Sequence, residues 1–306
     1  MNEASFIELE KKLKSIKIEA FIIHQGENRI FEYLKNKKIA EKPAKVYSIT
    51  KSIVSILIGI MVDKGMIKDI HEPIQNYFPD LDALKDPQKR EITIFHLLTM
   101  TSGLQAGQFQ GSKNRIKFIV EQPITHEPGS TFQYNSGDSH LLSAIIQKIS
   151  GFTTAAFAER HLFYPLGIHK YIWVKDPQGI NGGGFSLSLN VEDMVKIGLL
   201  FLKEGRFNSK QIISSNWLHQ AKTPYKQFET EREGTAGYGY QLWTYKSTIN
   251  PIDYYYANGL YGQYIFIVPK LNMIAVAKSH LQDDQQQSAP RLFFDEIIGS
   301  WLKKND

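Results

Sequence analysis

Apolar residues at Phe6, Ile7, Leu9, Leu13 and Ile16 recur at three- and four-residue intervals, which predicts an amphipathic helix over residues 5–17. The runs Ala20-Phe21-Ile22-Ile23-His24 and Arg29-Ile30-Phe31-Glu32-Tyr33 then flank Gln25-Gly26-Glu27-Asn28 and read as two strands of a hairpin. From Ser48 the chain is apolar at almost every position to Val62. That predicts a helix buried all round, stopped by the glycine of Lys64-Gly65. From Asp69 to about Thr223 helical segments over 93–100, 138–150, 153–163 and 191–204 are separated by Gly and Pro loops. Strand patterns return over 238–245, 253–257, 263–268 and 273–279, and a helix from about 289 to 303 closes the chain. Strands near both ends with helices between predict an α/β (α+β) fold. Residues 1–68 and 224–306 would form one mainly antiparallel sheet flanked by helices, and 69–223 an inserted all-helical lobe.

Composition narrows the function classes. At 306 residues and 42% hydrophobic content the chain can bury a large core. The absence of cysteine excludes disulfides, zinc–thiolate sites and cysteine nucleophiles. The formal net charge of +5 does not imply nucleic acid, because basic residues are interspersed with acids and the run Leu34-Lys35-Asn36-Lys37-Lys38 is short and belongs to no aromatic-basic recognition motif. Phosphate-cradling Gly loops and the His-Glu-x-x-His metal motif are missing; His71-Glu72 and His126-Glu127 run straight into Pro73 and Pro128. Gly182-Gly183-Gly184 reads as a tight turn. The N-terminus carries acids where a signal peptide needs basic residues, and the apolar run Ile53–Val62 is too short to span a bilayer. The expectation is a cytoplasmic protein with no membrane partner.

Ser48-Ile49-Thr50-Lys51 places a serine one helical turn ahead of a lysine, on one face of the buried helix. A serine hydroxyl needs an adjacent base to become a nucleophile, and burial of Lys51 beside Ile53, Val54 and Leu57 lowers the affinity of its amine for a proton. The competing readings are a helix N-cap for Ser48 and a snorkelling surface residue for Lys51. Ser300-Trp301-Leu302-Lys303 repeats the spacing near the C-terminus, where the lysine should lie in water on a fraying end.

Further segments give the pair a context. Ile94-Phe95-His96-Leu97-Leu98-Thr99-Met100-Thr101-Ser102-Gly103-Leu104 follows the helix, Tyr134-Asn135-Ser136 sits in a loop before another helix, and Ala257-Asn258-Gly259 lies on a late strand. In this order the segments resemble the serine β-lactamase and penicillin-binding-protein superfamily, closest to the branch with class C β-lactamases, family VIII esterases and aminohexanoate-oligomer hydrolases. The resemblance implies a β-lactamase/transpeptidase-like fold with the active site between its two lobes. It implies a serine hydrolase that forms an acyl-enzyme on Ser48, with Lys51 and Tyr134 as proton-transfer groups and no metal or organic cofactor. It also implies an oxyanion hole from the backbone N–H groups of Ser48 and Leu260, with Ser136, Ala257, Asn258, Gly259 and Tyr261 lining the substrate site.

Three departures from the family pattern bear on substrate. Ser136 stands where class C enzymes carry asparagine, although the oligomer hydrolases resemble Tyr-Asn-Ser more closely. Ala257 replaces the lysine of Lys-Thr-Gly, which removes a partner for a substrate carboxylate. Tyr256-Ala257-Asn258 spells tyrosine-alanine-asparagine literally, but it falls in a hairpin where Tyr256 reads as core or pocket lining. Tyr254, Tyr255, Tyr256, Tyr261, Tyr264 and Trp243 suit an apolar or extended acyl group and equally a strand core. The expected substrate is a small ester, amide or short peptide. A β-lactam or D-peptide hydrolase and a non-catalytic penicillin-recognising scaffold are the alternatives.

Overall fold

The computed structural model describes residues 3–229, 234–247, 252–282 and 288–302. Eight strands form one antiparallel sheet: β1 (Ile18–Gln25), β2 (Asn28–Leu34), β3 (Lys226–Glu229), β4 (Gly234–Tyr238), β5 (Trp243–Ser247), β6 (Asp253–Gly259), β7 (Gln263–Val268) and β8 (Met273–Ser279). Their order is β2-β1-β8-β7-β6-β5-β4-β3, so the N-terminal hairpin joins the last strand, with Ile22 opposite Val276. The longest helices are α1 (Glu3–Ser15), α2 (Ile49–Asp63), α3 (Ser136–Ser150), α4 (Val191–Leu202) and α5 (Ala289–Leu302).

Both faces of the sheet are covered, which explains why β7 and β8 are buried at every position instead of alternating. On one face Leu13 of α1 and Phe293, Phe294 and Ile297 of α5 pack on Tyr254, Tyr256 and Phe266. On the other, Ile53 and Leu57 of α2 and Ile197 of α4 meet Ala257, Ile265 and Ile274. Gly198 permits close approach there, since a Cβ would sit 3.0 Å from Ile274 and 3.1 Å from Ile265. Helix α4, which the division at 69–223 counts with the inserted lobe, therefore rests on the sheet.

The pattern expected over 238–245 is two strands. The chain reverses between Tyr238 and Trp243, with Gly239 N donating to the Leu242 carbonyl at 2.9 Å and Gln241 at φ 57°. Tertiary bonds hold this reversal: Gln241 donates from N and Nε2 to the Leu98 carbonyl, each at 3.0 Å, and accepts from Ser52 Oγ at 2.7 Å. The helix expected over 153–163 is α-helical only over Thr154–Ala158 and widens to a π-helix over Glu159–Phe163. A small sheet of Ala44–Lys45, Leu187–Leu189 and Ile172–Trp173 had no sequence signal, because two- and three-residue strands are too short to show a period. It fixes the approach to Ser48, with Val46 N bonded to the Leu187 carbonyl at 3.0 Å. Among the described residues no single helix is long and apolar enough to cross a membrane.

Candidate active site

Ser48 lies at the mouth of α2, immediately after Tyr47, whose φ of 48° puts a side-chain-bearing residue in the left-handed region. The sharp bend this creates is held by tight bonds: Thr50 N to the Tyr47 carbonyl at 3.0 Å, Lys51 N to the Ser48 carbonyl at 3.0 Å, and Thr50 Oγ1 to the Tyr47 carbonyl at 2.6 Å. Thr50 Oγ1 also accepts from Leu187 N at 3.2 Å, which ties the bend to the small sheet. Ser48 occupies the cap position, but its side chain makes no capping bond. The N-cap reading is thereby displaced, and the hydroxyl is left for another partner.

That partner is Lys51, which is 1% exposed. Its Nζ lies 3.2 Å from Ser48 Oγ, 3.0 Å from Ser136 Oγ and 2.7 Å from the Gly184 carbonyl. A carbonyl oxygen only accepts, so one Lys51 N–H must point at Gly184. With a second N–H on Ser136, a neutral amine directs its lone pair at the Ser48 hydroxyl. Burial drives the Lys51 pKa down to about 7, against the opposing pull of the Asp138 carboxylate. The competing reading of Lys51 as a snorkelling surface residue does not hold.

Tyr134 closes the group from the loop before α3. Its hydroxyl end is directed toward Ser48, which lowers the phenol's proton affinity, and Lys51 Nζ sits 4.9 Å from the centre of its ring. The ring is 36% exposed, stacks on Trp243 at 6.0 Å and meets Tyr238 edge-on at 6.1 Å. Burial of the hydroxyl end outweighs the opposing influence of Ser48 and pushes the phenol up to about 12, so it keeps its proton at neutral pH. The 94–104 segment supplies the support for this loop: Gln133 N bonds the Met100 carbonyl at 2.9 Å, and Asn135 Nδ2 bonds the Leu104 carbonyl at 3.1 Å. Asn135 Oδ1 caps α3 through Gly137 N at 2.8 Å, which aims Ser136 at Lys51.

The third segment faces α2. In β6, Ala257 is buried against α2, and a Cβ on Gly259 would collide with the Val46 carbonyl, so only glycine allows this approach of backbone to backbone. Asn258 pairs with Tyr264 and is half-buried. Strand β5 pairs β6 only from Tyr256 back to Asp253, leaving residues 257–259 without a ladder partner on that side among the described residues. Leu260 is exposed at the turn, and Tyr261 packs edge-on to Tyr47 at 5.0 Å. Tyr256 points to the opposite face of the sheet, buried against α5, where it accepts a bond from Arg291 Nη1 at 3.2 Å. The literal tyrosine-alanine-asparagine triplet is therefore not part of the group around Ser48. Of the C-terminal repeat, Lys303 lies outside the described residues.

The sequence pattern of the family described as Beta-lactamase matches residues 19–294. The chain belongs to the β-lactamase family. Within it the chain is similar to the 6-aminohexanoate-dimer hydrolase of Paenarthrobacter ureafaciens, at 21% identity over 315 residues covering 90% of this chain and 76% of that one. It is also similar to esterase EstB of Burkholderia gladioli, at 25% identity over 145 residues covering 40% of this chain and 36% of the esterase. Among solved structures, a D-stereospecific amidohydrolase from Streptomyces sp. superposes with a TM-score of 0.72 at 16% identity, covering 94% of this chain and 97% of that one. These names make the family context one of hydrolases acting on amides and esters. The fold is that of the β-lactamases and penicillin-binding proteins.

Two features of this β-lactamase-family site escaped sequence reading. The Gly182–Gly184 turn holds Lys51 through a backbone carbonyl, which no residue type announces. Asp138, two residues after Ser136, is fully buried; one oxygen accepts from Ser102 Oγ at 2.8 Å, and the other has no hydrogen-bond partner among the described residues. Burial raises its pKa well above the ordinary carboxylate value, and its negative form favours the Lys51 ammonium. Its position in a helix marked only by apolar spacing hid it. If neutral Lys51 is the active form, kcat/KM for an ester rises with pH along a limb centred near 7. An ionised Asp138 favours the ammonium, so Asp138→Asn should move this limb to lower pH, whereas a limb that stays in place would show that Asp138 carries its proton there. A pH profile of the variant displaced upward would contradict the assigned coupling.

Proposed function

We propose that this chain is a serine hydrolase of carboxylic esters or amides, working at the seam between the sheet lobe (1–68 and 224–306) and the inserted lobe (69–223). The observation that carries this reading is Lys51, buried with a pKa of about 7 and bonded at 3.2 Å to a serine hydroxyl that caps nothing. Ser48 Oγ attacks the carbonyl carbon as its proton passes to Lys51 Nζ. The N–H groups of Ser48 and Leu260 take up the negative charge on the carbonyl oxygen. Tyr134, held in its protonated form, gives its proton to the leaving alkoxide or amine and recovers one from Lys51. Water then enters by the reverse route, losing a proton to the Tyr134 and Lys51 pair, and the acyl group leaves as the acid. Lys51 rather than a tyrosinate is the first base in this scheme, because the two pKa values lie near 7 and 12.

Substrates would lie along the unpaired edge of residues 257–259, between Tyr47 and Tyr261 on one side and Tyr134 and Trp243 on the other. Ser136 faces Lys51 and would reach a substrate only through its hydroxyl. Because Ala257 supplies no cation, simple esters should exceed nitrocefin in kcat/KM, and Ala257→Lys should narrow the ratio. A wild-type ratio of ester to nitrocefin below one would favour a β-lactam or D-peptide hydrolase. The direct test of the chemistry is peptide mapping by mass spectrometry after exposure to a panel of activated esters. An acyl group on Ser48 is expected, and a protein that accumulates none under rapid quench, with no turnover, would be a binding scaffold.

A further inference from the structure

We propose that His140 and Asp176 are positioning residues for the Lys51 amine, acting through the Gly183-Gly184 peptide. The inference rests on the reading of Ser48 and Lys51 as nucleophile and base. Of the three oxygens around Lys51 Nζ, two are hydroxyls that rotate and can donate or accept. The Gly184 carbonyl alone can only accept, so its location decides where the lone pair of the neutral amine points.

The turn that carries this carbonyl has no side chains to wedge it. A Cβ on Gly183 would collide with the Ser139 carbonyl, and one on Gly184 would press on Ser136 Cβ at 3.0 Å, so the turn lies flat on the first turns of α3. Hydrogen bonds must place it. Gly183 N donates to His140 Nδ1 at 3.4 Å, and Trp173 Nε1 donates to the Gly182 carbonyl at 2.9 Å. Because Nδ1 accepts, the imidazole proton sits on Nε2, which faces Asp176 Oδ2 at 3.0 Å. Asp176 cannot rotate away, since its Oδ1 takes Gln178 N at 2.8 Å and Ile180 N at 2.9 Å. The pair is 1% and 0% exposed, and Phe109 stacks on the imidazole at 5.4 Å. The tautomer is fixed from both sides, by the Asp176 carboxylate at Nε2 and by the Gly183 N–H at Nδ1, so it couples the pair to the turn.

Asp176→Asn tests the tautomer with little change of shape. The amide oxygen can keep the two backbone bonds, and the amide N–H then faces Nε2, which drives the imidazole proton to Nδ1 against Gly183 N–H. Two donors face each other, and the turn must shift. The experiment follows covalent labelling of Ser48 in the full chain by a fluorophosphonate, reading the rate constant and the labelled fraction by intact mass. Alongside it, kcat and KM are measured for a p-nitrophenyl ester, with Tm as a check on folding. The expected result for Asp176→Asn is a labelling rate constant about ten- to a hundredfold lower, with the labelled fraction and KM unchanged. His140→Asn, whose amide oxygen can still accept from Gly183, should label about fivefold faster than His140→Leu. A wild-type rate constant in Asp176→Asn, or His140 variants that lose labelled fraction at constant rate, would overturn the positioning role. A wild-type protein that takes no label overturns the hydrolase reading itself.

Discussion

Ser48→Ala is expected to abolish hydrolysis of p-nitrophenyl acetate and butyrate, with kcat/KM falling at least about a thousandfold, the scale seen when an activated nucleophile is removed. The same substitution should leave Tm nearly unchanged. A capping serine replaced by alanine costs on the order of 1 kcal/mol, but the Ser48 side chain makes no capping bond. What the substitution removes is the hydroxyl at 3.2 Å from Lys51, whose other two oxygens remain. Loss of activity without loss of stability separates a nucleophile from a cap in one pair of measurements. Ser300→Ala, at the C-terminal copy of the spacing, should retain full activity. Esterase activity persisting in Ser48→Ala, after contaminating esterases are excluded by repurification, would end the assignment.

Tyr134→Phe should lower kcat by about a hundredfold with little change in KM, because it removes one proton-transfer group and leaves the ring. The ring keeps its stack on Trp243 and its place against Lys51 Nζ, so binding surfaces persist. Tyr256→Phe provides the contrast. Its hydroxyl lies on the far face of the sheet and, among the described residues, takes one bond, from Arg291, so the expected cost is about 1 kcal/mol of stability with kcat intact. Steady-state kinetics with thermal melts of both variants check the pair. A large kcat loss in Tyr256→Phe with Tyr134→Phe near wild type would reverse the placement of the second motif.

The parts of the fold visible in the sequence are those with a long period. Thirteen- to fifteen-residue helices such as α1 and α2, and the β1–β2 hairpin around Gly26, could be read because each repeats one spacing several times. The break at Gly239–Leu242 could not, since Tyr238 to Tyr245 keeps strand-like residues on both sides of a reversal held by Leu98 and Ser52. Helix α4 was legible as a helix, yet nothing in its own residues says that it rests on β7 and β8.

The same division runs through the site. By itself the sequence determined which side chains have the right chemistry and the order in which they occur: Ser48 and Lys51 one turn apart, Tyr134 ahead of a helix, Gly259 on a late strand. Spacing of three on one helix is a local property, so the Ser48–Lys51 contact follows from residue numbers alone. The order of the segments already favoured Tyr134 over Tyr256, and the tertiary structure supplied the physical reason: the two differ in which face of which element they occupy. Only it disclosed the Gly184 carbonyl and the buried Asp138. A backbone carbonyl looks the same at every position in a sequence, and the proton affinity of a carboxylate or an amine is set by burial and by neighbours that stand 85 or 133 positions away in the chain.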